Sequence, residues 1–266
     1  MSIGNTQKDV VREFWDSEPC GTRYLGATDD FDTHARTRYT LEPYIFDFAE
    51  FHEARGLRVL EIGVGLGSDY LEWLKAGAHA TGIDLSGASI ESARDRCVAS
   101  GFQPDLRVAD AEELPFPDNS FDIAYSYGVM HHSPNTQRCV EEAKRVLTTG
   151  GHAKIMVYHH PSVTGFLLWL RYGVFRGKTL RQCVFQYLES PGTKTYTRAE
   201  ALQLFDGFRD VTMQVVFSPG DLLLHRPSAR YQSWIYRVAW RLFPRWLVRR
   251  FGRPWGLFLL ISATKI

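Results

Sequence analysis

The sequence predicts an α/β fold built on a doubly wound, mostly parallel seven-stranded sheet. Three observations predict it: apolar runs alternate with helical patterns over residues 56–154, seven runs have strand character, and a glycine-rich loop joins the first strand to its helix. Strands that alternate with helices form βαβ units, whose parallel sheet is covered by helices on both faces.

The predicted elements of the sheet domain follow one another in a regular order. The strands are 58–62, 80–84, 106–109, 121–126, 153–158, 211–217 and 257–263. The helices are 69–76, 89–100, 135–147 and 197–208, and Gly150-Gly151 is expected to end the third of them. Together these elements predict one domain over residues 56–266.

Further segments accompany the sheet domain. Residues 1–55 predict an N-terminal helical cover, with a first helix capped by Thr6, a loop at 19–33 and a second helix at 41–55. One face of that first helix is apolar and carries Val10, Val11, Phe14 and Trp15. Residues 161–196 and 225–253 interrupt the end of the domain and are expected to form helical lid insertions.

Composition excludes several classes of protein. With 44% hydrophobic and 23% charged residues, the chain differs from disordered, collagen-like and coiled-coil sequences. No apolar run reaches the roughly 18 residues of a membrane-spanning helix, and the start lacks the basic and apolar regions of a secretory signal. The four cysteines form no CxxC pair, which is typical of reduced thiols. These features predict a cytoplasmic protein.

Charge is distributed unequally along the chain. Residues 1–150 carry 25 acidic and 14 basic residues, a net charge of −11, whereas residues 151–266 carry 5 acidic and 17 basic residues, a net charge of +12. This asymmetry indicates that the C-terminal part either meets an anionic partner or packs against the acidic half.

The glycine-rich loop follows an acidic residue. Gly63, Gly65 and Gly67 come after Glu61 at the junction of the first strand and helix. A dinucleotide-binding loop has the spacing GxGxxG and would need glycine at position 68 or 70, where the chain has none. A carboxylate at Glu61 would repel a pyrophosphate but suits a cationic or amine-bearing ligand.

Acidic residues also follow the next two strands. Asp84 ends the second strand, 19 residues after Gly65, where an acid commonly accepts hydrogen bonds from a ribose diol. Asp110 follows the third strand. With Glu61 these acids define one crevice at the carboxyl edge of the sheet, although Asp84 and Asp110 could instead cap the helices that follow them.

At these positions the chain resembles the class I S-adenosylmethionine-dependent methyltransferases. The Glu61–Gly67 loop is similar to their first motif, and Gly82–Ser86 to their acidic second motif. Asp110–Asp122 and Val129–His132 resemble the branch that includes the quinone and sterol C-methyltransferases. The resemblance covers roughly residues 56–158 and implies a Rossmann-like methyltransferase fold that binds S-adenosylmethionine and releases S-adenosylhomocysteine.

The resemblance implies a cofactor role for ten residues at the strand ends. Glu61 would hold the amino end of the cofactor, Asp84 its ribose hydroxyls and Asp110 its adenine amino group. The ten are Glu61, Gly63, Gly65, Gly67, Asp84, Leu85, Asp110, Ala111, Tyr127 and Gly128. No metal is expected, because no carboxylate cluster or His/Cys spacing is typical of a magnesium or zinc site.

Candidates for catalysis are less well defined. His131 and His132 lie just beyond the fourth strand, where a histidine could take a proton from the acceptor. The pair could equally be structural, and His132 is the preferred base. Further candidates for substrate contact are Tyr24, Tyr39, Lys194 and Tyr196.

The second insertion is strongly basic. Residues 226–253 contain eight arginines and no acid. Three interpretations stay open: a helical lid that packs on the acidic half, a lid around a lipid-like or carrier-linked substrate, and peripheral contact with an anionic membrane. Nucleic acid is not expected as a partner, because the insertion is also rich in apolar residues and the other half is acidic.

The sequence therefore predicts a methyltransferase that acts on a small, largely apolar molecule, as in secondary metabolism and other small-molecule biosynthesis. Oxygen is favoured as the acceptor atom over nitrogen and carbon. Two alternatives stay open: an enzyme that binds the same cofactor without methylating, such as a cyclase or decarboxylase, and an NAD-dependent oxidoreductase.

Overall fold

A computed structural model describes residues 3–17, 31–188, 192–224 and 240–266 of the chain. Seven strands form its sheet: β1 (Arg58–Ile62), β2 (His79–Asp84), β3 (Asp105–Val108), β4 (Phe121–Tyr127), β5 (Leu147–Tyr158), β6 (Phe208–Val216) and β7 (Phe258–Lys265). The strand order is β3-β2-β1-β4-β5-β7-β6. The first five strands are parallel, and β7 runs antiparallel between β5 and β6. The predicted fold class is confirmed.

Helices surround this sheet. Those that precede β4 are α1 (Ile3–Ser17), α2 (Phe31–Leu41), α3 (Tyr44–Ala49), α4 (Ser68–Lys75) and α5 (Gly87–Ala99). Those that follow it are α6 (Thr136–Val146), α7 (Val163–Tyr172), α8 (Leu180–Tyr187), α9 (Arg198–Leu204) and α10 (Arg245–Phe251).

Both faces of the sheet are buried. On one face, helices α3, α4 and α5 cover a core that contains Trp73, Tyr125 and Phe51. On the other face, α6 and α9 cover a second core. Adjacent residues of β1 point to opposite cores, Val59 to the first and Leu60 to the second. This is why the central strands read as continuous apolar runs rather than as alternating ones.

The prediction that Gly150-Gly151 ends a helix was wrong. Helix α6 already ends at Val146, and both glycines lie inside β5. The pairing of β4 with β5 shifts register just here, between Phe121 and Ile123. Gly150 has a φ of 80°, so the glycine accommodates a strand irregularity instead of a helix terminus.

The N-terminal cover also differs from the prediction. Helix α1 begins at Ile3, so Thr6 lies inside it and is not its cap. Helix α2 begins at Phe31 within the expected loop, and the expected 41–55 helix is interrupted. Pro43 has no N–H to continue a helix and stands at the N-cap of the short α3.

A buried carboxylate anchors the first insertion. Asp221 Oδ1 accepts hydrogen bonds from the N–H and hydroxyl of Thr164, both at 2.8 Å, in the first turn of α7. Its Oδ2 accepts from the N–H groups of Ser218 (2.8 Å) and Leu257 (2.7 Å). Burial raises the pKa of Asp221, and these N–H donors oppose that effect. Helix α7 is thereby joined to the start of β7.

The second insertion lies partly outside the described residues, which omit 225–239. Its described part contains α10, for which Pro244 is the N-cap. Across the described ranges, no helix combines the length and apolarity needed to cross a bilayer.

Candidate functional site

A cleft lies at the carboxyl edge of β1, β2, β3 and β4. Its floor consists of the loops that follow these strands, and its cover comes from α1 and α2. The cover contributes Lys8, Val11 and Trp15 from α1, and His34 and Arg38 from α2. In an open parallel sheet this is the usual place for a ligand. No described residue of the two insertions lines the cleft.

The glycine loop after β1 leaves backbone exposed to the cleft. Gly63 has a φ of 84°, and a Cβ at this residue would meet the side chain of Val129 at 2.2 Å. Gly65 has a φ of 51°, and its N–H donates to Asp84 Oδ2 (3.0 Å). Gly67 is the N-cap of α4 and does not line the cleft; a Cβ there would meet Ala93 at 2.8 Å. The loop therefore needs glycine for its turn and for close packing.

Asp84 is held in one orientation at the end of β2. Besides the Gly65 N–H, the Ser86 N–H donates to its Oδ1 (2.9 Å). Burial raises the pKa of Asp84, while these backbone donors oppose that effect. Leu85, the next residue, also lines the cleft. A fixed carboxylate in this position can accept two further hydrogen bonds from a vicinal diol.

Glu61 brings a second carboxylate to the cleft floor. Its side chain is only 3% exposed, and Oε2 has no hydrogen-bond partner among the described residues. Burial raises the pKa of Glu61 well above its usual range; nearby Asp69 adds to this, and Arg38 opposes it. A buried acceptor without a donor is costly, so this atom indicates a place for a ligand donor.

Arg38 of α2 is a half-buried cation that also lines the cleft, near enough to Glu61 to oppose the rise of its pKa. Its Nη2 donates to Asp69 Oδ2 (2.8 Å), and its guanidinium lies over the ring of Tyr127, 5.1 Å from the centroid. Asp69 also accepts from the hydroxyls of Tyr39 (3.0 Å) and Tyr125 (2.8 Å). The network fixes Arg38 in the cleft wall, and the remaining guanidinium N–H groups are available to donate to a ligand.

Asp110 and Glu112 hold the cover in place beyond β3. Lys8 Nζ of α1 lies 2.7 Å from Asp110 Oδ2 and 2.5 Å from Glu112 Oε2. Burial raises the pKa of Glu112, but hydrogen bonds from Lys8 and Ser133 outweigh this effect and lower the pKa below its usual value. Ala111 lines the cleft beside them. Helix α1 is thus fastened over this end of the cleft by two ion pairs.

The two histidines after β4 occupy different positions. His132 lines the cleft, its Nδ1 lies 3.1 Å from Thr193 Oγ1, and its ring meets Trp15 edge to face at 5.3 Å. His131 is fully buried behind it and does not line the cleft. Its ring lies 3.9 Å from that of Tyr158, and burial lowers the pKa of His131 well below its usual range. Only His132 can reach a ligand in the cleft.

The remaining candidates are dispersed. Tyr127 and Gly128 line the cleft, and the Tyr127 hydroxyl donates to Glu42 Oε2 (3.0 Å). Tyr39 does not line it, because its hydroxyl is directed to Asp69. Tyr24 lies outside the described residues.

Lys194 and Tyr196 lie away from the cleft. They line a separate surface groove with Arg181 and Glu200. Lys194 Nζ donates to the carbonyl oxygens of Ser133 (2.5 Å) and Pro134 (2.7 Å) and so braces the loop after His132. Neither residue lines the cleft, and substrate contact by either stays a prediction.

The cover supplies the functional residues that sequence reasoning missed. Lys8, Trp15, His34 and Arg38 line the cleft, yet none was a candidate. The apolar face that includes Val11 and Trp15 was the available signal, because one side of a helix next to a ligand site has to be buried. Within the described ranges, no cluster of three or more His, Cys, Asp or Glu residues could hold a metal ion.

Comparison with known proteins gives a family match for part of the chain. Residues 60–155 match a family model described as a methyltransferase domain. A phosphatidylethanolamine N-methyltransferase of Cereibacter sphaeroides is 39% identical over 105 residues, which cover 39% of this chain and 51% of that protein. The 27-O-demethylrifamycin SV methyltransferase of Amycolatopsis mediterranei is 36% identical over 99 residues, covering 36% of each chain. The match thus spans about half or less of these relatives.

Solved structures share the fold over nearly the whole chain. Geranyl diphosphate C-methyltransferase from Streptomyces coelicolor superposes with a TM-score of 0.62 at 16% identity, covering 98% of both chains. The cyclase SpnF superposes with a TM-score of 0.56 at 17% identity, covering 99% of this chain and 95% of that one. At these identities the likeness concerns the fold.

Proposed function

Because residues 60–155 form a domain of the class I S-adenosylmethionine-dependent methyltransferases, we propose that the protein methylates a small, largely apolar molecule. A hydroxyl oxygen is the favoured acceptor. One observation carries the proposal: three carboxylates, Glu61, Asp84 and Asp110, stand at successive strand ends around a bare glycine loop in one cleft.

The cleft residues fit this cofactor. Glu61 Oε2, a buried acceptor without a donor, faces the place where a methionyl ammonium group would supply one. Arg38, which also lines the cleft, suits the methionyl carboxylate. The fixed carboxylate of Asp84 suits the ribose hydroxyls, and Asp110 suits the adenine amino group.

The chemistry needs alignment and exclusion of water more than acid–base groups. When bound, the cofactor supplies a methyl group on a sulfonium that is already a good leaving group. The chain holds the acceptor in line with that group, and such positioning can supply about 7–11 kcal/mol of the barrier. Helix α1, fastened by Lys8 and placing Trp15 at the cleft, would help to keep water from the reacting groups.

For a hydroxyl acceptor the chain also has to accept a proton. Of the two histidines after β4, His132 is the one that lines the cleft, and Thr193 orients its ring. It would take the hydroxyl proton as the oxygen forms its bond to the methyl carbon and the carbon–sulfur electron pair returns to sulfur. Trp15 and the apolar residues Val129 and Met130 beside His132 favour a largely apolar acceptor. One relative supports oxygen as the acceptor atom: its name, 27-O-demethylrifamycin SV methyltransferase, describes a substrate that lacks a methyl group on an oxygen.

The activity can be tested in two stages with the full chain. First, S-adenosylhomocysteine is expected to raise the thermal unfolding temperature, and NAD is not. Second, S-adenosylmethionine labelled in its methyl group is incubated with a panel of apolar alcohols, phenols, amines and activated carbon acids, and label in the product is measured. Stabilisation by NAD but not by S-adenosylhomocysteine would contradict the proposal.

Replacing Asp84 by alanine is expected to weaken S-adenosylhomocysteine binding about 10- to 150-fold, because a hydrogen bond to a charged group contributes roughly 1.5–3 kcal/mol. Calorimetric titration measures the change. Glu91→Ala is the matched control, since Glu91 is an exposed acid on the neighbouring helix α5. Unchanged affinity in a folded Asp84→Ala variant would remove Asp84 from the ribose position.

Cofactor affinity is expected to depend on pH through Glu61. Because burial raises the pKa of Glu61 in the free protein, its carboxyl group is protonated at low pH and cannot pair with an ammonium group. Affinity for S-adenosylhomocysteine should therefore rise with pH as the Glu61 carboxyl group becomes ionised. Glu61→Gln should bind more weakly at neutral pH and lose this dependence, whereas Glu91→Gln should retain it. The same pH dependence in Glu61→Gln would assign it to another group.

A cyclase is the second candidate function. The cyclase SpnF shares the fold over almost the whole chain, so the fold also accommodates an enzyme of that kind. Measurement of the cofactor separates the two functions: a methyltransferase converts it to S-adenosylhomocysteine once per turnover, and a cyclase leaves it unchanged while its substrate is consumed.

A further inference from the structure

A basic segment, residues 240–255, protrudes beside the sheet domain. It comprises helix α10 with the residues on either side of it and contains no aspartate or glutamate. Its five arginines are Arg241, Arg245, Arg249, Arg250 and Arg253. None of them lines the cofactor cleft.

Large apolar side chains of the basic segment are exposed. Leu242 is 74% exposed, Trp246 72%, Phe251 60% and Trp255 53%. Tryptophan, phenylalanine and leucine are usually buried in soluble proteins, and grouped exposure of them marks an interaction surface. These four residues lie within a stretch of 14 residues, so they form a group rather than scattered exceptions.

The outward face of α10 carries only cations and large apolar groups. The inward side holds Val248, which is half-buried, and Arg245, whose Nη2 donates to the Leu223 carbonyl oxygen (3.0 Å). The exposed residues of the helix are Trp246, Leu247, Arg249, Arg250 and Phe251. At 100° per residue, Trp246 and Arg250 lie opposite Val248, with Leu247 and Arg249 on either flank. Phe251 lies about 60° from Val248, in the last position of the helix.

Within the described ranges, the arginines of the basic segment have no acidic partners. Among the described residues, no ion pair joins Arg241, Arg249, Arg250 or Arg253 to a carboxylate. The guanidinium of Arg250 lies over the ring of Phe251, 5.2 Å from the centroid. The positive charge is therefore available to an external anion, beside side chains that favour an apolar environment.

We propose that the basic segment rests on the surface of an anionic lipid bilayer. Trp246, Leu247 and Phe251 would enter the boundary between head groups and acyl chains, and the arginines would pair with lipid phosphates. This combination of arginine with tryptophan and phenylalanine is typical of interfacial helices. The proposal does not depend on the methyl-transfer activity.

Other partners fit this face less well. Nucleic acid offers phosphates but no apolar layer for three exposed large side chains. A second copy in a twofold contact would place this face against itself, and the arginines of the two copies would repel one another. A bilayer surface satisfies both the charge and the apolar groups.

Vesicle co-sedimentation tests the proposal with the full chain at physiological ionic strength. One set of vesicles is phosphatidylcholine alone, and in the other about one-third of the lipid is phosphatidylglycerol. We expect sedimentation with the anionic vesicles only. Arg249→Gln/Arg250→Gln/Arg253→Gln should reduce partitioning roughly 100-fold, about fivefold for each arginine. Leu242→Ser/Trp246→Ser/Trp255→Ser should reduce it about tenfold or more.

Matched controls remove exposed groups elsewhere. Val98→Ser/Leu202→Ser removes two exposed apolar side chains, and Arg55→Gln/Arg209→Gln removes two exposed cations. Both should sediment like the unaltered protein, and circular dichroism verifies that every variant is folded. No sedimentation with anionic vesicles, or equal loss in the controls, would overturn the proposal. Self-association without vesicles that is lost in the serine variant would also overturn it and assign the face to a second copy.

Discussion

Replacing His132 by glutamine is expected to lower kcat for a hydroxyl acceptor about 10²- to 10⁴-fold, the usual contribution of a general base. Cofactor affinity should change little, because the proposed cofactor contacts come from residues at the strand ends. Steady-state kinetics with the best acceptor from the labelled-methyl panel measures both effects.

Two controls separate chemistry from packing in this experiment. His52→Gln removes an exposed histidine far from the cleft and should leave kcat unchanged. Thr193→Val removes the hydroxyl that orients the His132 ring and should lower kcat less than His132→Gln does. If kcat of His132→Gln matched that of the unaltered protein, methyl transfer would need no base at this position, as for a carbanion or amine acceptor.

Replacing Gly63 by alanine is expected to lower the free energy of unfolding by about 2–5 kcal/mol. The left-handed conformation of Gly63, with a φ of 84°, costs an alanine about 1–2 kcal/mol. The new Cβ would also meet Val129 at 2.2 Å, and such overpacking costs about 1–3 kcal/mol. Relief of this contact requires the loop to move, so cofactor affinity should fall as well.

Gly87→Ala is the matched control for Gly63→Ala. Gly87 begins helix α5, and a Cβ there would have no atom within 4 Å. The free energy of unfolding of Gly87→Ala should equal or slightly exceed that of the unaltered protein, since alanine restricts the unfolded chain. Chemical denaturation measures both variants. Equal stability of Gly63→Ala and the unaltered protein would show that the loop can take another path.

Much of the sheet could be predicted because its central strands are buried on both faces. Residues such as Val59 and Leu60 serve opposite cores, so the strand appears in the sequence as an unbroken apolar run. Helix α2 could not be predicted in this way, because His34 is its one buried residue among those described. Polar contacts hold it instead: His34 lies 3.3 Å from both Ser68 and Arg96, and Arg38 pairs with Asp69.

In the candidate site, too, some residues could be predicted from the sequence and others could not. The strand-end acids were predictable, because parallel topology brings the ends of consecutive strands to one edge. Lys8 and Arg38 were not, since they reach the cleft through pairs with residues 102 and 31 positions away in the chain. His131 and His132 are adjacent in sequence, and only the tight turn after β4 places one on the cleft wall and the other behind it.

The position of β7 has a consequence for the order in which the chain can fold. The four strands that border the cleft are neighbours in the sheet and precede residue 128 in the chain, so they can pair as soon as they are synthesised. Strand β6 pairs with β7 alone among the described strands, and β7 comes last. During synthesis, β6 therefore has no strand to pair with until β7 inserts between β5 and β6. That interval is when the nascent protein is most exposed to wrong strand pairing.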